Sequence, residues 1–214
     1  MDTDTLIETL VARHRAVEPA WIERRSLLAV IAGLGVAVLA IRLTIGFRSD
    51  LADALQSGRI LAKYGFILTA LVMAGHLFNA MARPGGRLRR QAIAYALPLG
   101  FIAVAALGQM ALNGLPSRSA LLGDSGNWVA CMLLVPLLSL PPLAYLMLVL
   151  RRAAPTDLAG AGFAAGVFAT AIAATVYAAH CPCDTPVFVA LWYPIAFAFG
   201  GLIGARLAPR LARW

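Results

Sequence analysis

Residues 158–206 read LAGAGFAAGVFATAIAATVYAAH CPCDT PVFVALWYPIAFAFGGLIGAR, and this stretch decides the fold. Two apolar runs, 158–180 and 186–206, flank a short polar break, and neither carries a charge before Arg206. As a helix rising about 1.5 Å per residue, either run is long enough to cross a hydrocarbon layer of about 30 Å. The break is a turn, so the pair reads as a helical hairpin. Four more runs precede it, at 26–47, 60–81, 91–112 and 128–150. The 214 residues are 61% hydrophobic and only 13% charged. A soluble domain of this size carries about a quarter charged residues. The expectation is an all-α, polytopic membrane protein with six transmembrane helices: a lead-in at 1–25, a membrane domain at 26–206 and a tail at 207–214. The first run is too long for a signal-peptide core and lacks a small-residue cleavage site, so it reads as a retained span.

Charge orients the bundle. Arg13, Arg15, Arg24 and Arg25 precede run one; Arg83, Arg87, Arg89 and Arg90 link runs two and three. Arg151 and Arg152 link runs four and five, and Arg206, Arg210 and Arg213 close the chain. The alternate links hold only Arg48, Arg59 and Arg118, offset by Asp50, Asp53, Asp124 and Asp184. Arginine-rich links mark the cytoplasmic side, which places both termini in the cytoplasm. The net charge of +8 follows from the same distribution and calls for no direct nucleic-acid binding. In a bacterium the membrane is the inner one, and lipid is the first partner.

In the lead-in, Thr5 and Glu8 form a capping box, after which Leu6, Ile7, Leu10 and Val11 share one helical face until Pro19. That pattern suits a helix lying on the membrane surface or docking a soluble partner. Gly162 with Gly166, and Gly200 with Gly204, have the spacing that lets helices approach closely. Run four carries Pro136, Pro141 and Pro142, so its helix is expected to be kinked or broken, as a hinge or an inert bend.

The reactive side chains converge on His180-Cys181-Pro182-Cys183-Asp184. The assigned topology puts Cys131 at the same, non-cytoplasmic face, which in a bacterium is the oxidising periplasm. Three chemistries remain open: a disulfide from Cys131 to Cys181 or Cys183, a soft metal ion on Cys131, Cys181, Cys183 and His180, or thiol oxidation. His76, inside run two, reads as an interhelical hydrogen-bonding residue; Arg42 snorkels to the interface, and Asn127-Trp128 anchor run four there. No P-loop, hydrolase, haem or dinucleotide motif is present in the sequence, and no intramembrane chain of carboxylates.

Thr5-Leu6-Ile7 with Leu10, Ser139-Leu140-Pro141-Pro142, and His180-Cys181-Pro182 leading to Asp184, Pro186, Phe188 and Trp192 together resemble the negative regulator of sigma F (NrsF) family. The resemblance extends over essentially the whole chain. It implies an integral inner-membrane anti-sigma factor, not an enzyme, that holds an extracytoplasmic-function (ECF) sigma factor inactive on the cytoplasmic side. Release follows heavy-metal stress, chromium and cadmium among the metals, or oxidative stress. The two sensing cysteines correspond by position to Cys131 and Cys181; Cys183 falls where relatives are expected to carry another residue, and is a secondary thiol or third ligand. No obligatory cofactor is implied, only a transient heavy-metal ion. The sigma factor would dock on Leu6, Ile7, Leu10 and Val11. The competing reading is a membrane thiol oxidoreductase or heavy-metal ion carrier. A carrier needs ligands at mid-membrane, and an oxidoreductase more often uses Cys-x-x-Cys than Cys-Pro-Cys.

Overall fold

A computed structural model describes residues 3, 5, 7–9, 20–85, 96–123 and 127–212. Among them the regular structure is helical: α1 (Trp21–Thr44), α2 (Leu51–Ala54), α3 (Gly58–Met81), α4 (Ala96–Asn113), α5 (Arg118–Leu122), α6 (Asn127–Ala153), α7 (Leu158–Tyr177) and α8 (Pro186–Leu211). Five of these, α1, α3, α6, α7 and α8, are long and apolar enough to cross a membrane. The third expected run is represented by the shorter α4, because 91–95 lie outside the described residues. Large apolar side chains such as Leu27, Ile31, Leu43, Val104, Leu107 and Leu133 point outward from the bundle. In water such a surface would aggregate; against lipid tails it is the expected exterior.

The core is organised around α7. Most of its length is glycine and alanine, and most of its residues are buried on every side. A helix apolar all round belongs inside a bundle, and here α8, α6, α3 and α1 all pack on it. Small side chains allow that crowding. A methyl group on Gly166 would run into the Gly200 carbonyl oxygen, and one on Gly162 into that of Gly204, so α7 and α8 touch backbone to backbone as their spacing predicted. On the opposite flank, a Cβ on Gly33 of α1 would lie 2.9 Å from Ile172 of α7 and 3.1 Å from Pro142 of α6.

One sequence expectation is narrowed and another corrected. The helix of run four is not broken: α6 continues through Pro136, Pro141 and Pro142 to Ala153. Pro136 and Pro142 are buried, and neighbouring helices hold a transmembrane segment together where prolines remove its own hydrogen bonds. Helix α1 begins at Trp21, not at 26, because its first turn carries charges that find partners. Glu23 pairs with Arg83 beyond α3, and the Arg25 guanidinium sits 5.8 Å from the centre of the Trp21 ring. Nearby, Ser26 Oγ donates to Asn79 Oδ1 at 2.5 Å, tying α1 to α3 at the arginine-rich end.

Replacing Gly166 by leucine forces α7 off α8, and overpacking of this kind costs about 1–3 kcal/mol or more. Gly35, which faces open space, is the control. Thermal unfolding in detergent should show a clear loss of stability for Gly166→Leu and none for Gly35→Ala; equal behaviour of the two would contradict the packing.

Candidate functional site

Helix α7 stops at Tyr177, and the chain turns at once. His180 N–H and Cys181 N–H both donate to the Tyr177 carbonyl, at 2.9 and 3.0 Å. Pro186 starts α8 at a position where its missing N–H costs nothing. The thiol-bearing link 178–185 is therefore short and held at both ends. Three further elements grip it. Arg48 N–H donates to the Ala179 carbonyl at 3.4 Å, and His180 Nδ1–H donates to the Gly46 carbonyl at 2.7 Å, both from the link after α1. Thr185 Oγ1 donates to the Ala120 carbonyl of α5 at 3.1 Å.

The third grip was missed in the sequence. Lys63, the sixth residue of α3, is fully buried. Its Nζ donates to the Cys181 carbonyl at 2.7 Å and to Asp184 Oδ1 at 2.9 Å. The other Asp184 oxygen accepts from Arg48 Nη1 at 2.6 Å, while Arg48 Nε and Nη2 clasp both oxygens of Asp50 at 2.8 and 2.7 Å. A chain of four charges thus runs Lys63, Asp184, Arg48, Asp50 under the thiols. Hydrogen bonding from Arg48 lowers the Asp50 carboxyl to about 2, and the same bond to Asp50 raises the Arg48 guanidinium. The signal was available: a lone lysine inside an apolar run is a functional candidate by default.

All three cysteines are free thiols, Cys131 and Cys181 buried and Cys183 partly exposed. Cys131 occupies the second turn of α6, facing the Cys181 side of the bundle, and the two sulfurs are close enough to interact electrostatically. The Tyr177 hydroxyl hydrogen-bonds to Cys181. Cys183 hydrogen-bonds to Cys181, holding the Cys181 thiol down at about 6, with the Lys63 ammonium assisting against burial. That same hydrogen bond, together with burial, raises the Cys183 thiol. Gly123, at φ +70°, presses on Cys183: a Cβ there would lie 2.6 Å from its Sγ. Trp192 Nε1 donates to the Leu121 carbonyl at 2.7 Å and the Trp128 and Trp192 rings stack at 5.0 Å, which seats α5 and Gly123 over the link.

The four-residue metal set expected from the sequence is not assembled. Among the described residues no three His, Cys, Asp or Glu side chains are arranged to hold an ion. His180 is adjacent to Cys181 in sequence, but its Nδ1 is committed to Gly46. His76 lies within α3, away from the link. Of the expected docking residues only Ile7 is described, and it is exposed; Leu6, Leu10 and Val11 lie outside the described residues.

Asp184→Asn would leave the buried Lys63 ammonium without a counter-charge, and orphaning one member of a buried pair costs about 3–5 kcal/mol. Lys63→Met costs less, since Asp184 keeps Arg48. The double variant Lys63→Met/Asp184→Asn should therefore be more stable in detergent than Asp184→Asn alone; a double variant less stable than both singles would contradict the pairing.

A family model described as "Negative regulator of sigma F" (NrsF) matches residues 10–214. The chain is 38% identical to "Anti-sigma-F factor NrsF" of Caulobacter vibrioides (strain NA1000 / CB15N), an alignment covering all of both chains. It is 34% identical, again over all of both chains, to "Probable anti-sigma-F factor NrsF" of Azospira oryzae (strain ATCC BAA-33 / DSM 13638 / PS). No solved structure matches. With the family model spanning nearly its whole length and two full-length relatives named as regulators, the chain belongs to the NrsF family, the negative regulators of sigma F.

Proposed function

We propose that this chain is an anti-sigma factor of the bacterial inner membrane, crossing it six times with both termini in the cytoplasm. It holds an ECF sigma factor and releases it when heavy metal or an oxidant reaches Cys131 and Cys181. One observation carries the reading: the thiols and the arginine-rich links occupy opposite ends of one helical bundle. Residues 44–57, 113–123 and 178–185 meet at the thiol end, while Glu23, Ser26, Asn79 and Arg83 meet at the other. Arginine-rich links stay cytoplasmic, so the thiols face outward and the lead-in faces the sigma factor. The relatives' names, which speak of sigma F, support a sigma factor as the client.

Helix α3 supplies a physical route between the ends. At one end Lys63 holds the Cys181 carbonyl and Asp184; at the other Asn79 and Arg83 hold Ser26 and Glu23 of α1. Metal binding or oxidation at the thiols reshapes 181–184 and so alters the partners of Lys63. Helix α1, which leads directly from residues 1–20, is repositioned with it. A stimulus shifts the equilibrium only if it favours the releasing arrangement over the holding one. The short thiol link, whose contacts to Lys63 and Gly46 depend on its present shape, provides that difference.

The test is recovery of the sigma factor with the tagged, detergent-solubilised chain, before and after cadmium or diamide treatment of the cells. The wild type should retain it before treatment and lose it after. Deletion of residues 1–20 should abolish recovery in both conditions, and Cys131→Ser/Cys181→Ser should retain the sigma factor throughout. Release from the double serine variant at the wild-type level would remove the sensor assignment.

A further inference from the structure

The thiol end encloses a cavity of about 950 Å³ between the link after α1, the end of α4, α5 and the Cys-Pro-Cys link. Cys183 lines it; Cys131 and Cys181 do not, and both are almost completely buried. The cavity is thus the side from which a soluble molecule meets the thiol cluster, and Cys183 is the sulfur it meets. Its wall is polar and carries charges of both signs. Arg48 and Arg59 stand against Asp50 and Asp184, and Lys63 lies directly behind Asp184. Both carboxylates are taken up by Arg48 and Lys63. That leaves Arg59, exposed at the wall and paired with no carboxylate among the described residues, as the free cation.

We propose that this cavity binds a small water-soluble disulfide bearing a carboxylate, and that Cys183 is the residue it modifies. The carboxylate rests on Arg59. Exchange forms a bond between Cys183 Sγ and one sulfur of the disulfide, while the disulfide's own S–S bond breaks. The Cys183 sulfur is oxidised, the departing half is reduced to a thiol, and the Cys183 proton leaves with it. Exchange goes through the thiolate, so the raised Cys183 thiol reacts slowly, and its advantage over Cys181 is access. Cys181, the more acidic thiol, is shielded, whereas Cys183 touches both the cavity and Cys181. A mixed disulfide at Cys183 removes the hydrogen bond it gives Cys181, so the adduct reaches the buried pair without entering the core. The inference deepens the thiol-sensing reading and assigns this chain an entry residue that neither sensing cysteine provides.

The test uses the purified full-length chain in detergent, treated with oxidised glutathione (anionic) or cystamine (cationic), with adducts located by peptide mass spectrometry. Cys183 should carry the first adduct from oxidised glutathione, with Cys131 and Cys181 free. Cys183→Ser should slow total uptake at least tenfold. Arg59→Gln should slow the glutathione reaction several-fold without slowing that of cystamine. First modification at Cys131 or Cys181, unchanged uptake by Cys183→Ser, or an equal effect of Arg59→Gln on both reagents would overturn the proposal. Sigma-factor binding is not measured in this experiment, so its failure would leave the sensing reading intact.

Discussion

A fully buried ammonium about one and a half turns into an apolar helix is the constraint from which the thiol end follows. Lys63 is stable as a charge only if opposite charge and oxygen ligands come to it, since an unpaired buried ion costs several kcal/mol. Asp184 and the Cys181 carbonyl meet that need, which forces the link between α7 and α8 to fold over the start of α3. Asp184 then draws in Arg48, and Arg48 draws in Asp50, so the link after α1 closes on the same point. The thiols are placed by this charge chain, not by each other.

Beneath it, α7 supplies rigidity. Its glycines and alanines let four helices pack at close range, and dense packing of this kind passes displacement on instead of absorbing it. The backbone contact at Gly166 and Gly200 and the Gly33 contact with Ile172 and Pro142 leave little room for local adjustment. A change in 181–184 is therefore expressed as a shift of whole elements, and α3 is gripped at both ends.

The helices were legible because long uncharged runs have one plausible fate in a bilayer, and the small-residue spacings announced the α7–α8 contact. Other features were hidden for identifiable reasons. Lys63 and Asp184 are 121 residues apart, and a hydropathy average dilutes a single lysine among apolar neighbours. The start of α1 at Trp21 escaped because apolar runs register hydrocarbon depth, while Glu23 and Arg25 form helix in the polar interface. Prolines in α6 suggested a break because their local cost is visible in sequence and the packing that offsets it is not. The hydrogen bond from His180 Nδ1 to the Gly46 carbonyl joins residues 134 apart in sequence, so the turn after Tyr177 that directs it was not legible either. Cys183 looked secondary by family position, and only the cavity reveals that it is the accessible sulfur.

In the proposed mechanism the thiol link and the arginine-rich end are mechanically joined through α3. Hydrogen–deuterium exchange on the detergent-solubilised chain, with thiols reduced or oxidised by diamide, tests this directly. Oxidation should speed exchange both in 178–185 and in 20–26 and 79–85, and Lys63→Met should abolish the distant response while sparing the local one. Faster exchange confined to 178–185 in the wild-type chain would contradict it.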